Sequence, residues 1–305
     1  MNHPKQKNIV YKVETISELH MIAGFEKPKH PLVTIIDYSK VNVENGPESG
    51  SFACSFYTVN YKKHCDFIYG RQPFDHQEGT LHCTAPDQVI TYNNKKESGS
   101  TEGWGLYFHP ELIRNTALGE KIQEYSFFMY SENEALHLSE QEEQTLLAIL
   151  KQMENEYNTN IDHYSHELII SNIELLLNYC KRFFGRQFIT RANHNKDIIA
   201  RFEKFISDYC NSDQLKNNGI PSVKYCADEM NLTPNYLSDL LKSETGKNTL
   251  QHIHYHLLEK AKLLLINSGK SISEIAFELG FEYPQNFSKL FRKKVGMSPT
   301  LYRAG

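Results

Sequence analysis

Two segments of this chain, residues 233–242 (TPNYLSDLLK) and residues 283–292 (YPQNFSKLFR), superpose without gaps at an offset of 50. Pro234 matches Pro284, Leu237 matches Phe287, Ser238 matches Ser288 and Leu240 matches Leu290, with Gly246 and Gly296 aligned just beyond. Proline at a first helical position costs no hydrogen bond, and glycine after the last turn accepts a left-handed cap, so each segment reads as a short helix. Leu237, Leu240 and Leu241 form an apolar stripe, as do Phe287, Leu290 and Phe291. The opposite faces are polar, with Asn235, Ser238, Asp239 and Lys242 in the first copy and Gln285, Ser288, Lys289 and Arg292 in the second.

A preceding helix completes each copy. The first spans 223–230 behind Ser222, and the second spans 272–279 behind Ser271, with Glu274 three residues on as in a capping box. The turns, 231–233 and 280–283, are short, and helix, tight turn, amphipathic second helix is the helix-turn-helix pattern. Residues 250–266 read as a helix of about 25 Å between the copies. It is a strut comparable to the ~34 Å turn of a DNA duplex. Amides, hydroxyls and long cations suit base edges in a major groove, and helix-end cations suit phosphates. Charge follows the same division. Residues 195–305 carry 15 Lys and Arg against 12 Asp and Glu, whereas residues 1–194 carry 18 against 25. The predicted partner of the C-terminal part is double-stranded DNA.

The first ~130 residues have another texture. Short β-like runs at 33–37, 56–59, 89–92 and 105–108 are separated by turn formers, which predicts a β-sandwich or barrel. From Ser139, which with Glu142 makes a second capping box, the pattern becomes helical. Ile169, Ile173, Leu176, Cys180 and Phe183 line one face of a helix over about 163–184, and packing on the β-domain or a dimer interface both satisfy that face. Residues 185–195 (GRQFITRANHN) read as a polar linker.

The C-terminal residues closely resemble the AraC family of bacterial transcription regulators. The resemblance is carried by Ile275-Ala-Phe-Glu-Leu-Gly-Phe281, Phe287-Ser288, Phe291, Gly296, Ser298-Pro299 and Tyr302-Arg303, and spans about 196–303. It implies base contacts from Asn235, Ser238, Asp239, Gln285 and Lys289, RNA polymerase as a partner with activation or repression both open, and a homodimer. Pro284 and Asp239 depart from relatives that often carry a base-contacting or longer polar side chain there. The N-terminal half resembles the family's cupin-like sensor at Gly79-Thr-Leu-His82, Ala85-Pro-Asp-Gln88 and Gly103-Trp-Gly-Leu-Tyr-Phe-His109, which implies a small-molecule effector. The fold class is thus α+β in two domains: a cupin-like β-barrel with flanking helices, then an all-α double helix-turn-helix. The boundaries are 1–138 sensor, 139–187 dimerisation helices, 188–195 linker and 196–305 DNA-binding domain.

Tyr57, Tyr69, His82, Tyr92, Trp104 and Tyr107 are the candidates for an aromatic effector pocket, although plain barrel core is the favoured reading of the aromatic residues, and dimer contacts are expected from Ile169, Ile173, Leu176 and Cys180. A metal-dependent cupin enzyme fused to a DNA-binding domain is the competing reading. His64, His76, His82 and His109 lie in the β-rich part but include no H-x-H pair, so neither metal nor cofactor is expected there. His252 and His256, at i and i+4, have the spacing of a metal clamp but read rather as a solvated or DNA-facing pair on the strut. There is no Gly-rich phosphate loop and no nucleophile elbow. The six scattered cysteines include no CxxC pair, which argues against a disulfide framework. No stretch reaches the ~18–20 apolar residues of a membrane span. Residues 1–7 lack an apolar signal core, so a cytoplasmic protein without a membrane partner is expected.

Overall fold

Alternating buried and open side chains build the strands of the N-terminal part, and the computed structural model describes residues 10–40, 49–63, 79–93, 102–158 and 164–304. The chain divides into two units, Met1–Gln187 and Phe188–Gly305. In the first, β1 (Val10–Val13), α1 (Ile16–Ile22), β2 (Val33–Asp37), β3 (Ser49–Cys54), β4 (Tyr57–Lys62), β5 (Gly79–Thr84), β6 (Val89–Asn93) and β7 (Gly103–Phe108) come first. They precede α2 (Pro110–Ile113), α3 (Ala117–Lys121), β8 (Leu136–Leu138) and the long helices α4 (Glu140–Asn158) and α5 (Ser165–Thr190). The strands form two sheets, β1-β3-β6 and β2-β7-β4-β5-β8, which are not closed into one barrel among the described residues. The expected β-rich region also contains α1, whose N-terminus is capped by the Thr15 hydroxyl accepting from the Glu18 amide.

Register gives the larger sheet two unlike faces. Paired residues across antiparallel strands share a face, so Tyr57, Val59 and Tyr61 lie with Leu81, Cys83, Trp104, Leu106 and Phe108. That face is core: Phe128 meets Tyr57 edge-on, and its neighbour Phe127 stacks on Phe184 of α5. The other face carries Thr34, Thr58, Asn60, His82, Thr84 and Tyr107. The six expected pocket residues therefore do not converge. Tyr57 and Trp104 belong to the apolar face, whereas His82 and Tyr107 belong to the polar one. Tyr92 lies on β6 opposite Gly50, and Tyr69 falls outside the described residues, as do His64 and His76.

The capping box expected at Ser139 and Glu142 forms and starts α4. Helix α5 runs past its expected end because its last turns are fixed to the sheet edge. Gln187, buried, donates to Ala135 O and accepts from the His137 amide, and Arg186 donates to His137 O and to both Glu142 oxygens. These bonds occupy backbone groups of edge strand β8 that would otherwise lack a ladder partner. The segment read as a linker is therefore helical on both sides of Arg191. Ile169, Ile173, Leu176 and Cys180 are 0–1% exposed, packed inside unit 1, so the apolar face they form is used by the chain's own core. The solvent side of α5 instead exposes Leu168 and Leu175, with Tyr164 exposed just before its first turn.

The second unit is all helical: α6 (Ala192–Asn211), α7 (Gln214–Asn218), α8 (Val223–Met230), α9 (Pro234–Thr245), α10 (Thr249–Asn267), α11 (Ile272–Glu278), α12 (Pro284–Val295) and α13 (Pro299–Ala304). One core serves all of it. Ile253, Leu257, Ala261 and Leu265 of α10 share a cluster with Cys226, Leu237 and Leu241 of the first copy and Ile275, Phe287 and Phe291 of the second. The turns are left-handed where the sequence permits it, at Asn231 (φ 58°) and Gly280 (φ 79°). Gly280 is doubly constrained, since a Cβ there would stand 2.6 Å from Leu215 O and 2.9 Å from Gly219 backbone atoms. Gly280→Ala should lower the stability of this unit by about 1–3 kcal/mol. Gly246→Ala, also left-handed but facing open space, should cost less. Urea unfolding of both variants checks the order.

Candidate nucleic-acid interface

Each second helix of the repeat is set by local chemistry at its ends. Thr233 caps α9 by accepting from the Tyr236 amide, Pro234 follows, and Gly246 closes the helix with its amide donating to Lys242 O. In the other copy, the Ser271–Glu274 capping box starts α11, Pro284 opens α12, and Gly296 closes it onto Arg292 O. The apolar stripes enter the common core: Leu237, Leu240, Leu241, Phe287 and Phe291 are buried, and Leu290 is half-buried. The polar faces are left outward.

Those faces differ between the copies. On α12, Gln285, Lys289 and Arg292 are exposed and Ser288 is half-buried. Lys293 and Lys294 extend the cationic end, where the helix dipole favours positive charge. None of these four cations pairs with an acidic side chain among the described residues. Their charge is available to a polyanion. On α9, Lys242 is exposed, but Asn235, Ser238 and Asp239 are half-buried. Ser238 Oγ lies 3.0 Å from Thr249 Oγ1 at the buried start of α10, and Asp239 is already engaged within the chain. In the second copy the position of Thr249 is Pro299, which has no hydroxyl, so Ser288 has no such bond. The run Arg292-Lys-Lys294 was legible as a charge cluster, although the face pattern reached only Arg292.

The strut histidines are not the solvated pair that spacing suggested. His252 is 6% exposed, with Nδ1 2.7 Å from Glu203 Oε1 of α6 and Nε2 2.8 Å from Thr245 Oγ1. His256 Nε2 donates to the other Glu203 oxygen at 2.8 Å. A carboxylate only accepts, so His252 carries its proton on Nδ1 when neutral. In the β-rich unit, His109 caps α2, its Nδ1 accepting from the Glu111 amide. His82 Nε2 is buried on the polar sheet face. The described cysteines are free thiols, and burial pushes Cys180 and Cys226 up to about 12, which keeps them protonated and unreactive.

Comparison with known proteins places this geometry. Residues 226–305 match the family model of a helix-turn-helix domain. The chain is 35% identical over 113 residues to the uncharacterised transcriptional regulatory protein YesN of Bacillus subtilis, covering 36% of this chain and 29% of that protein. It is 26% identical over 258 residues to the uncharacterised HTH-type transcriptional regulator YfiF of the same organism, covering 82% and 77%. Similarity to the HTH-type transcriptional activator RhaS of Escherichia coli is 28% over 165 residues, covering 54% of each chain. The matched part thus spans under a third of YesN and about half of RhaS. The second unit carries a helix-turn-helix domain. The chain as a whole is similar to bacterial HTH-type transcriptional regulators. In the described residues no helix is long and apolar enough to cross a membrane.

Burial, the largest influence, holds the His252 pKa below its ordinary 6.5, against the raising effect of Glu203. The unfolded chain then binds the proton more readily than the folded one. The stabilising contribution is present above about pH 6.5 and is lost as pH falls from there through the folded pKa. Acidification across that window should destabilise the wild type more than His252→Phe, as read from urea midpoints of the two proteins between pH 7.5 and 5.

Proposed function

We propose that this protein is a sequence-specific, DNA-binding transcriptional regulator of AraC type. The observation that carries this reading is the outward face of α12, where Gln285, Lys289 and Arg292 are exposed and unpaired by acids beside a second recognition helix on the same core. Gln pairs bidentately with adenine and Lys donates to guanine acceptors, each good pair contributing about 1–3 kcal/mol of discrimination. On α9 the matching Asn235 and Asp239 are half-buried, and Asp repels phosphate while suiting only a cytosine amine. The α12 face therefore dominates base reading, with Asn235, Ser238 and Asp239 secondary and Lys242 toward the backbone. RNA polymerase as a partner follows from the family resemblance, and activation from the similarity to an activator.

For the N-terminal unit, a cupin-like sensing role is supported by the polar sheet face. Tyr38 OH donates to Asn60 Oδ1 and lies 2.9 Å from Tyr107 OH; Asn60 Nδ2 donates to Thr58 Oγ1, which meets Thr84 Oγ1 at 2.6 Å. Burial pushes the Tyr107 phenol up to about 12, so this face is neutral and hydrogen-bonding. A small polar effector suits it better than the mixed set of six read from the sequence. A homodimer through α5 then uses the exposed stripe of Tyr164, Leu168 and Leu175 rather than the buried Ile173 face.

Binding-site selection with the full chain tests the main reading. Lys289→Ala should relax base preference at one or two positions. Arg292→Ala should weaken all sites alike and lower the salt slope by about 0.9, one phosphate's worth. Wild-type binding that is indifferent to sequence, or unaffected by both changes, rejects the proposal. For assembly, Leu175→Asp should shift sedimentation on DNA from dimer to monomer. Ile173→Asp should instead unfold the first unit, because a charge there has no partner.

A further inference from the structure

The repeat supplies its own internal control for how a recognition helix is held. At the offset of 50, Thr245, Gly246 and His252 of the first copy correspond to Val295, Gly296 and Tyr302 of the second. Both glycines end their helices in left-handed caps, φ 75° and 90°. Beyond those caps the copies diverge. In the second, the last turn of α12 is held by apolar contacts: Phe291 meets Tyr302 edge-on at 5.4 Å, and Val295 packs against the core. In the first, the matching positions are polar and joined in a chain. Thr245 Oγ1 of α9 meets His252 Nε2 of α10 at 2.8 Å; His252 Nδ1 meets Glu203 of α6 at 2.7 Å; His256 holds the second Glu203 oxygen at 2.8 Å. The neighbouring Glu244 is reached by Asn195 Nδ2 at 3.3 Å, and the same amide donates to Phe188 O. Phe188 in turn packs edge-on against Tyr236 of α9.

Resting on the DNA-reading role proposed above, we propose that the Glu203–His252–Thr245 relay is a positioning device for the first recognition helix alone. It fixes the C-terminal turn of α9, and with it the angle at which Asn235 and Lys242 meet a groove. An apolar contact such as Phe291–Tyr302 tolerates small shifts because its energy varies slowly with angle. A hydrogen-bonded relay through the buried His252 ring has one arrangement, and removing either neighbour leaves a buried ring nitrogen without its partner. The groups facing His252 are few: Glu203 from α6, the Thr245 hydroxyl from α9, Lys247 from the turn, His256 on its own helix, and the Phe202 ring edge-on at 5.7 Å. Thr245 Oγ1 accepts from the Lys247 amide, and its single proton, given to His252 Nε2 in the relay, has Leu241 O at 2.7 Å as the competing acceptor. The hydroxyl thereby ties the relay to the last turn of α9 and to the cap that follows it.

The experiment uses the full chain and a DNA site selected by the wild type, compared with two sites in which one half or the other is scrambled. Asn235→Ala and Gln285→Ala assign the halves to α9 and α12. Thr245→Val removes only the hydroxyl and installs the residue of the second copy; it should lose roughly tenfold of the discrimination at the α9 half while leaving the α12 half intact. Thr245→Ser, which keeps the hydroxyl, should restore it, and Tyr302→Phe should change neither half. His252→Phe should behave as Thr245→Val; if it fails to fold, the Val and Ser pair decides. Equal loss at both halves, no loss at either, or Ser behaving as Val overturns the proposal. A wild type without any sequence preference would instead sink the DNA-reading role itself.

Discussion

The buried stripe of α10, Ile253, Leu257, Ala261 and Leu265, is the contact on which the second unit depends. Neither helix-turn-helix copy has enough apolar surface to close by itself, since each contributes two short helices with one apolar side. By lying against both, α10 turns two half-cores into one and sets the copies in fixed relation. The outward faces are polar because the inward stripes are committed to that helix. The chemistry offered to a partner is thus a by-product of where the apolar residues had to go.

The first unit is built on a similar economy. Its five-stranded sheet sends one face, with Leu81, Leu106 and Phe108, into an aromatic layer that continues through Phe127 to α5. The other face keeps hydroxyls and an amide bonded to one another, so buried polar groups there are satisfied rather than costly. Arg186 and Gln187 lock α5 to the open edge at β8, and α5 then runs without a break to Thr190. A polar, basic composition here marks a helix whose polar groups have partners.

The two second helices of the repeat share an opening proline and a closing glycine but differ in their supports. Position 249 keeps a threonine that takes up Ser238, whereas position 299 is proline and leaves Ser288 unbound by it. Position 252 is a histidine in a relay, whereas position 302 is a tyrosine against phenylalanine. The outward charge differs in the same direction, with the cations of α12 unopposed and Asp239 set into α9. The copies therefore hold similar backbones with unequal freedom and unequal attraction for a polyanion.

The sequence by itself determined the features fixed within one or two turns of chain. The repeat, the capping boxes at Ser139 and Ser271, the prolines at 234 and 284 and the glycine caps at 246 and 296 all stand where spacing put them, because each depends on neighbours three or four residues away. Tertiary structure decided what depends on partners distant in sequence. Periodicity showed that Ile169, Ile173, Leu176 and Cys180 share a face, but only packing showed that the face is spent on the unit's own core. Strand texture was legible, yet the register of β4 against β5 and β7 was not. That register separates Tyr57 and Trp104 from His82 and Tyr107. The i, i+4 spacing placed His252 and His256 side by side, but it took Glu203, some fifty residues earlier, to bond them both. A sequence pattern specifies which side chains can act together, whereas the elements that come to face them are selected by the burial of the whole core.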